Sequence, residues 1–168
     1  DAYLRMLEEW GGSSPFRTVM VTGPFMPKKM RTDIFNRSRS LGVRSYRFYR
    51  RMERLIGAAD VVVSMGGYNT VCEILSQGKP SLIIPREQPR REQLIRAEIL
   101  HERSLADFIP WHRVSPGLLK NKLLAILDDP EPYHRAIRQF SFTGLEIMRQ
   151  RLAEFRGAIT REKKVMQL

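Results

Sequence analysis

Ten consecutive residues, Ser64-Met65-Gly66-Gly67-Tyr68-Asn69-Thr70-Val71-Cys72-Glu73, hold the densest set of groups suited to chemistry in this 168-residue chain. They follow the apolar run Val61-Val62-Val63 and open a segment of helical pattern, so their order is strand, glycine turn, helix start. A helix start leaves its first backbone N–H groups without intrahelical partners and carries the positive end of the helix dipole. Glycines there let a ligand come close to the backbone. The chemistry this favours is the binding of a phosphate or diphosphate. Gly66, Gly67, Asn69 and Thr70 are the candidates, with Ser64 at the strand end, and Asn69 or Thr70 also suits a helix cap. Cys72, among apolar neighbours, reads as a small buried residue rather than a nucleophile.

Such a turn needs a scaffold, and the flanking pattern supplies one. Tyr3, Met6, Leu7 and Trp10 fall at i, i+3, i+4 and i+7, which predicts an opening helix ended by Gly11-Gly12. Strands are expected over 17–22, 43–48, 61–64 and 81–84, and helices over 27–41, 52–59, 69–77, 91–103, 115–127 and 143–155. A short apolar piece lies at 106–109. Val61-Val62-Val63 and Leu82-Ile83-Ile84 lack polar alternation, as central strands of a covered parallel sheet do. The expected fold is α/β, a Rossmann-like parallel sheet with helices on both faces. Ligands in such sheets bind beyond the carboxyl ends of the strands. Here those ends are Thr22-Gly23-Pro24, Phe48-Tyr49-Arg50, Ser64–Gly67 and Pro85-Arg86, expected to converge on one crevice.

Composition narrows the classes. With 42% apolar residues the chain can build one domain with a hydrophobic core. One cysteine allows no intramolecular disulfide framework and no cysteine-rich zinc site, and His101, His112 and His134 have no metal-ligand spacing, so no metal is expected. A reducing, cytoplasmic setting is the default. No apolar stretch approaches the roughly 18–20 residues that cross a bilayer. The net charge is +11, and the segment Lys28–Arg54 carries +8 of it, ten basic residues against Asp33 and Glu53. Such a segment attracts nucleic acid, an anionic membrane surface or an acidic small molecule, and composition does not choose among them.

Two separated motifs, Met65-Gly66-Gly67-Tyr68-Asn69-Thr70-Val71-Cys72-Glu73-Ile74-Leu75 and Pro85-Arg86 followed by Glu92-Gln93-Leu94-Ile95-Arg96-Ala97-Glu98, match in order and spacing a known family. Together they make residues 1–156 resemble the C-terminal donor-binding domain of GT-B glycosyltransferases. The likeness is to a family 28-like bacterial set, similar to the peptidoglycan N-acetylglucosaminyltransferases. The resemblance implies that Ser64, Gly66, Gly67, Asn69 and Thr70 approach the diphosphate of a nucleotide-sugar donor, a uridine-diphosphate sugar by the family's habit. It implies that Glu73 accepts from the ribose hydroxyls; by spacing alone a capping box, Thr70-x-x-Glu73, is an equal reading. Glu92 and Gln93 match a pair that holds the transferred sugar, against the reading of an ordinary first-turn acid and a solvated amide. Gly23, Tyr49, Met52 and Arg86 match the nucleobase end or border of the crevice. Groove packing for Tyr49 and Met52, a plain turn at Gly23 and a solvated Arg86 are the competing readings.

The donor is thus expected as a substrate, with no cofactor, and residues 157–168 as a charged tail. Doubly wound domains open with a strand and a glycine-bearing turn, whereas this chain opens on a helix, so that strand and an N-terminal acceptor domain are expected upstream. No residue qualifies as the catalytic base, and the piece alone is expected to be inactive. The basic segment suits peripheral contact with anionic lipid. A nucleotide-sugar epimerase shares the architecture and differs in needing no acceptor. A basic nucleic-acid module, with Tyr46, Phe48 and Tyr49 interleaved among arginines, leaves the glycine loop unexplained, so no nucleic acid is expected.

Overall fold

The computed structural model describes residues 1–10 and 14–165, with side chains through residue 155; the expected Gly11-Gly12 helix stop lies outside the described residues. Helix α1 (Ala2–Glu8) comes first, then the strand β1 (Val19–Val21), α2 (Lys28–Ser40), β2 (Arg44–Tyr46) and α3 (Met52–Ala58). They are followed by β3 (Val62–Ser64), α4 (Tyr68–Ser76), β4 (Ser81–Ile83), α5 (Glu92–Glu102) and β5 (Asp107–Phe108). A 3-10 turn at Trp111–Arg113 leads to α6 (Pro116–Asp128), α7 (Glu131–Gln139) and α8 (Gly144–Val165). The alternation of strand and helix is the one the periodicity predicts. β5 and α7 are additions: a two-residue strand is too short to show a period, and α7 is polar on most of its surface, with Ile137 its buried residue.

All strand pairs are parallel, in two sheets. β1 pairs with β2, placing Met20 opposite Ser45, and β4 lies between β3 and β5, with Leu82 opposite both Val63 and Asp107. Every residue of β4 is buried, as a strand paired on both sides and covered on both faces should be.

The helices divide between the faces. α1 packs on α2 and on α6, and α6 also touches β4. Leu4, Met6 and Leu7 of α1 join Ile34, Val43, Leu82, Leu119, Leu123 and Ile126 in one core. α3 packs instead on α4, whose Val71, Ile74 and Leu75 are buried outside that core. α1 is braced to its neighbours by a hydrogen bond of 2.6 Å between Tyr3 Oη and Thr18 Oγ1, and by Arg37, which binds Glu8 through Nε at 2.9 Å and also pairs with Asp1.

The chain forms two compact units, Asp1–Arg138 and Gln139–Leu168. The second contains α8, with Leu145, Ile147, Met148, Leu152 and Phe155 exposed.

Candidate functional site

The turn after β3 is built by packing as much as by sequence. Gly66 adopts φ +74°, and a Cβ there would lie 2.7 Å from Ile83 Cγ2 on β4, so a side chain is excluded on two counts. Its N–H donates to Ser64 Oγ at 3.2 Å, and its carbonyl accepts from Arg96 Nη1 at 2.7 Å. The Arg96 guanidinium also lies 5.7 Å from the centroid of the Tyr68 ring. A trans peptide plane points its N–H opposite to its C=O. Holding the Gly66 carbonyl toward α5 therefore turns the Gly67 N–H the other way.

Gly67, at φ −59° and ψ 144°, is the N-cap of α4, and no side chain caps the helix. The first intrahelical bond is Val71 N–H to Gly67 O at 2.9 Å. The N–H groups of Tyr68, Asn69 and Thr70 have no protein partner among the described residues. This corrects one expectation, since neither Asn69 nor Thr70 caps the helix. The reversal at Gly66 and the extended Gly67 start α4 a residue earlier, which places both inside the first turn. For the same reason the Thr70–Glu73 capping box is absent, and the exposed Glu73 carboxylate makes no hydrogen bond among the described residues. A row of unpaired N–H groups at the positive end of a nine-residue helix can take an anion, and a carboxylate one turn along can accept from hydroxyls.

The loop after β4 meets this turn. Arg86 donates its backbone N–H to Gln93 Oε1 at 3.0 Å, which occupies the amide oxygen and leaves the Gln93 NH2 as the available end. The backbone oxygen of Gln93 lies 4.0 Å from the position of a Cβ on Gly66. Glu92 is exposed in the first turn of α5, and Arg86, Arg90 and Arg91 are exposed along the loop. Glu87 ties the loop to the segment after β5 by accepting from the Trp111 N–H at 2.9 Å. The half-buried Cys72 is free.

Hydrogen bonds and contacts thus bring Ser64, Gly66, Arg86 and Gln93 together, with Gly67, Asn69, Thr70 and Glu73 continuing along α4. Gly23, Tyr49 and Met52 belong to the ends of the other sheet: Gly23 follows β1, Tyr49 packs edge-on to Tyr46 at 5.2 Å, and Met52 starts α3. No hydrogen bond joins them to the turn among the described residues. Arg96 is the functional residue that the sequence reading missed. Its signal was its place three residues after Gln93, on the same face of α5. Among the described residues there is no group of three or more His, Cys, Asp or Glu side chains placed to hold a metal ion, and no helix long and apolar enough to cross a membrane.

Residues 4–150 match the family described as the glycosyltransferase family 28 C-terminal domain. One similar protein is the UDP-N-acetylglucosamine--N-acetylmuramyl-(pentapeptide) pyrophosphoryl-undecaprenol N-acetylglucosamine transferase of Streptococcus agalactiae, 34% identical over 89 residues. That match covers 52% of this chain and 25% of the relative, so the chain spans about a quarter of its length. Among solved structures, Acinetobacter baumannii MurG aligns with TM-score 0.57 and 15% identity over 82% of this chain and 47% of its own. Glycosyltransferase VinC, crystallised in complex with dTDP, aligns with TM-score 0.61 and 18% identity over 82% of this chain and 31% of its own. These two likenesses show the fold, a GT-B donor-side domain in both position and strand order. The family match covers most of the chain, and the protein belongs to the glycosyltransferase family 28 C-terminal domain family.

Proposed function

We propose that residues 1–156 form the donor-binding domain of a glycosyltransferase that takes a sugar from a nucleotide-diphosphate sugar, a uridine-diphosphate sugar first, to an acceptor held by another domain. The observation that carries this is the unpaired N–H row of Tyr68, Asn69 and Thr70 behind a turn that tolerates only glycine at residue 66. In this reading the row holds the diphosphate, Glu73 accepts from the ribose hydroxyls, and Gln93 donates its free NH2 to a sugar hydroxyl while Glu92 accepts from another. Gly23, Tyr49 and Met52 border the base. In the transfer, the bond between the anomeric carbon and the diphosphate oxygen breaks and the electron pair leaves with the diphosphate. The acceptor oxygen bonds to that carbon, and its proton goes to a base outside this chain. N–H groups and cations aimed at the leaving oxygens stabilise the charge as it develops. The dTDP bound by VinC supports a nucleoside diphosphate as the ligand class.

Calorimetric titration with uridine diphosphate and one uridine-diphosphate sugar tests the assignment. Glu73→Ala is expected to weaken both ligands about tenfold or more, the loss of a charged hydrogen-bonding partner. Gln93→Ala is expected to weaken the sugar form only. Binding indifferent to Glu73→Ala would refute the ribose role.

We also propose a cytoplasmic protein that touches anionic lipid through the segment Lys28–Arg54. Phe25 is 97% exposed beside Lys28 and Lys29, with Met30 exposed on the same stretch. Flotation with anionic liposomes tests this, and equal recovery with neutral liposomes would count against it.

A further inference from the structure

The two sheets of the first unit have facing positions in the chain order but no hydrogen bond between them. In the parallel ladder of β1 with β2, Arg44 N–H binds Thr18 O at 3.1 Å and Thr22 N–H binds Tyr46 O at 3.0 Å. That register turns the N–H and C=O of Val19 and Val21 away from β2. In the ladder of β3 with β4, Val62 N–H binds Pro80 O at 3.1 Å and Ile84 N–H binds Ser64 O at 2.8 Å, which turns both backbone groups of Val63 away from β4. None of these groups has a partner among the described residues. Val19 is 45% exposed and Val63 39% exposed, although each stands mid-sequence in an apolar strand.

Handedness says which way these two edges face. Crossovers between parallel strands are right-handed. α2 carries the chain from β1 to β2, and α1 lies on the same face, packed on α2. A right-handed crossover through α1 that ends in β1 must therefore start from a strand on the far side of β1 from β2. α3 lies on the opposite face, packed on α4, so it carries the chain back in the other direction and delivers β3 beyond that same position. α4 continues the same way to β4, which leaves the free edge of β3 facing the free edge of β1. α1 and its core partners Ile34 and Val43 on one side, Leu82 and Leu119 on the other, roof this position from one face.

We infer that the position between β1 and β3 is a strand site, filled by one extended apolar segment that runs parallel to both and leads by a tight turn into α1. Strand order then becomes β2-β1-segment-β3-β4-β5, a single doubly wound sheet. The segment pairs with Val19 and Val21 on one side and with Val63 on the other, and it covers the exposed flanks of Val19 and Val63. Its turn into Asp1 falls between the Gly23 end of β1 and the Ser64 end of β3, so it also completes the rim of the anion-binding turn. The occupant is the stretch of the same polypeptide that immediately precedes α1, because the edge chemistry asks for a parallel strand and α1 must receive its chain from that site. This inference rests on topology and edge hydrogen bonding and stands or falls apart from the ligand reading.

Amide hydrogen exchange of the 168-residue chain, beside the same chain extended at Asp1 by Thr-Ile-Val-Val-Ile-Gly-Gly-Ser, tests it. The Val19, Val21 and Val63 amides are expected to exchange fast in the first protein and about a hundredfold slower in the second, while Leu82 and Ile83 of β4 are protected in both. An extension carrying proline at alternate strand positions is expected to give no protection. If the unextended chain lacks a cooperative unfolding transition, gain of one with the apolar extension and not with the proline extension is the expected result. Slow exchange at Val19, Val21 and Val63 in the unextended monomer, unchanged exchange on extension, or protection that appears only with dimeric mass would overturn the inference.

Discussion

Two strand-to-helix turns in this protein carry a glycine at positive φ, Gly23 after β1 at +81° and Gly66 after β3 at +74°, yet they are built differently. A Cβ on Gly23 would meet nothing within 4 Å, whereas on Gly66 it would lie 2.7 Å from Ile83 Cγ2. The Gly66 carbonyl is held from thirty residues away by Arg96; near Gly23, Arg31 donates to the Met26 carbonyl at 3.0 Å, a bond inside its own local turn. The Gly66 turn feeds the N-terminus of α4 directly, while four residues, Pro24 to Pro27, separate Gly23 from α2. A positive φ therefore marks a change of chain direction in both, and only the turn clamped from β4 and α5 holds its N–H groups in a fixed direction.

Breaking the clamped turn has the largest expected effect. Gly66→Ala adds a steric clash to left-handed strain and is expected to cost about 3 kcal/mol of stability and to abolish donor binding, read by thermal unfolding and calorimetry. Arg96→Met removes the bond to the Gly66 carbonyl, with an expected loss of roughly tenfold in donor affinity and about 1–2 kcal/mol in stability. Arg31→Met is the matched control at the other turn and is expected to leave donor affinity unchanged. Equal effects of the two arginine changes would erase the distinction drawn between the turns. Gly23→Ala carries strain without a clash, an expected cost of about 1 kcal/mol.

The smallest effect concerns the brace between α1 and α2. Hydrogen bonding to Arg37 holds the Glu8 carboxyl below its ordinary pKa. A lowered folded-state pKa means that the contribution to stability is complete above the unfolded value of about 4.3 and is lost as pH falls through the lower folded value. Wild type is therefore expected to lose slightly more stability than Arg37→Met over that acid window, measured by denaturant unfolding at each pH. Identical acid profiles would remove the brace from the account.

Much of the fold was legible. The i, i+3, i+4 spacing of Tyr3, Met6 and Leu7 marked α1, and the unalternating Val61-Val62-Val63 and Leu82-Ile83-Ile84 marked buried strands. β5 was not legible as a strand, because Asp107 and Phe108 earn their ladder from β4 and not from any pattern of their own. The start of α4 was misplaced for a related reason. Asn69 and Thr70 have the side chains of cap residues, but Ile83 forces Gly66 into a reversal that starts the helix at Tyr68.

Sequence by itself determined the alternation of parallel strands and helices, the position of the glycine turn beyond a buried strand, and the concentration of positive charge between residues 28 and 54. These follow from local periodicity and residue type, which need no knowledge of distant neighbours. Tertiary structure alone decided that Arg96 holds the Gly66 carbonyl, that Arg86 orients Gln93, and that the strands stand as two sheets with β1 and β3 each unpaired on one edge. Those facts depend on which elements the crossovers bring side by side, and hydrogen bonds between residues far apart in the chain leave no period in the sequence.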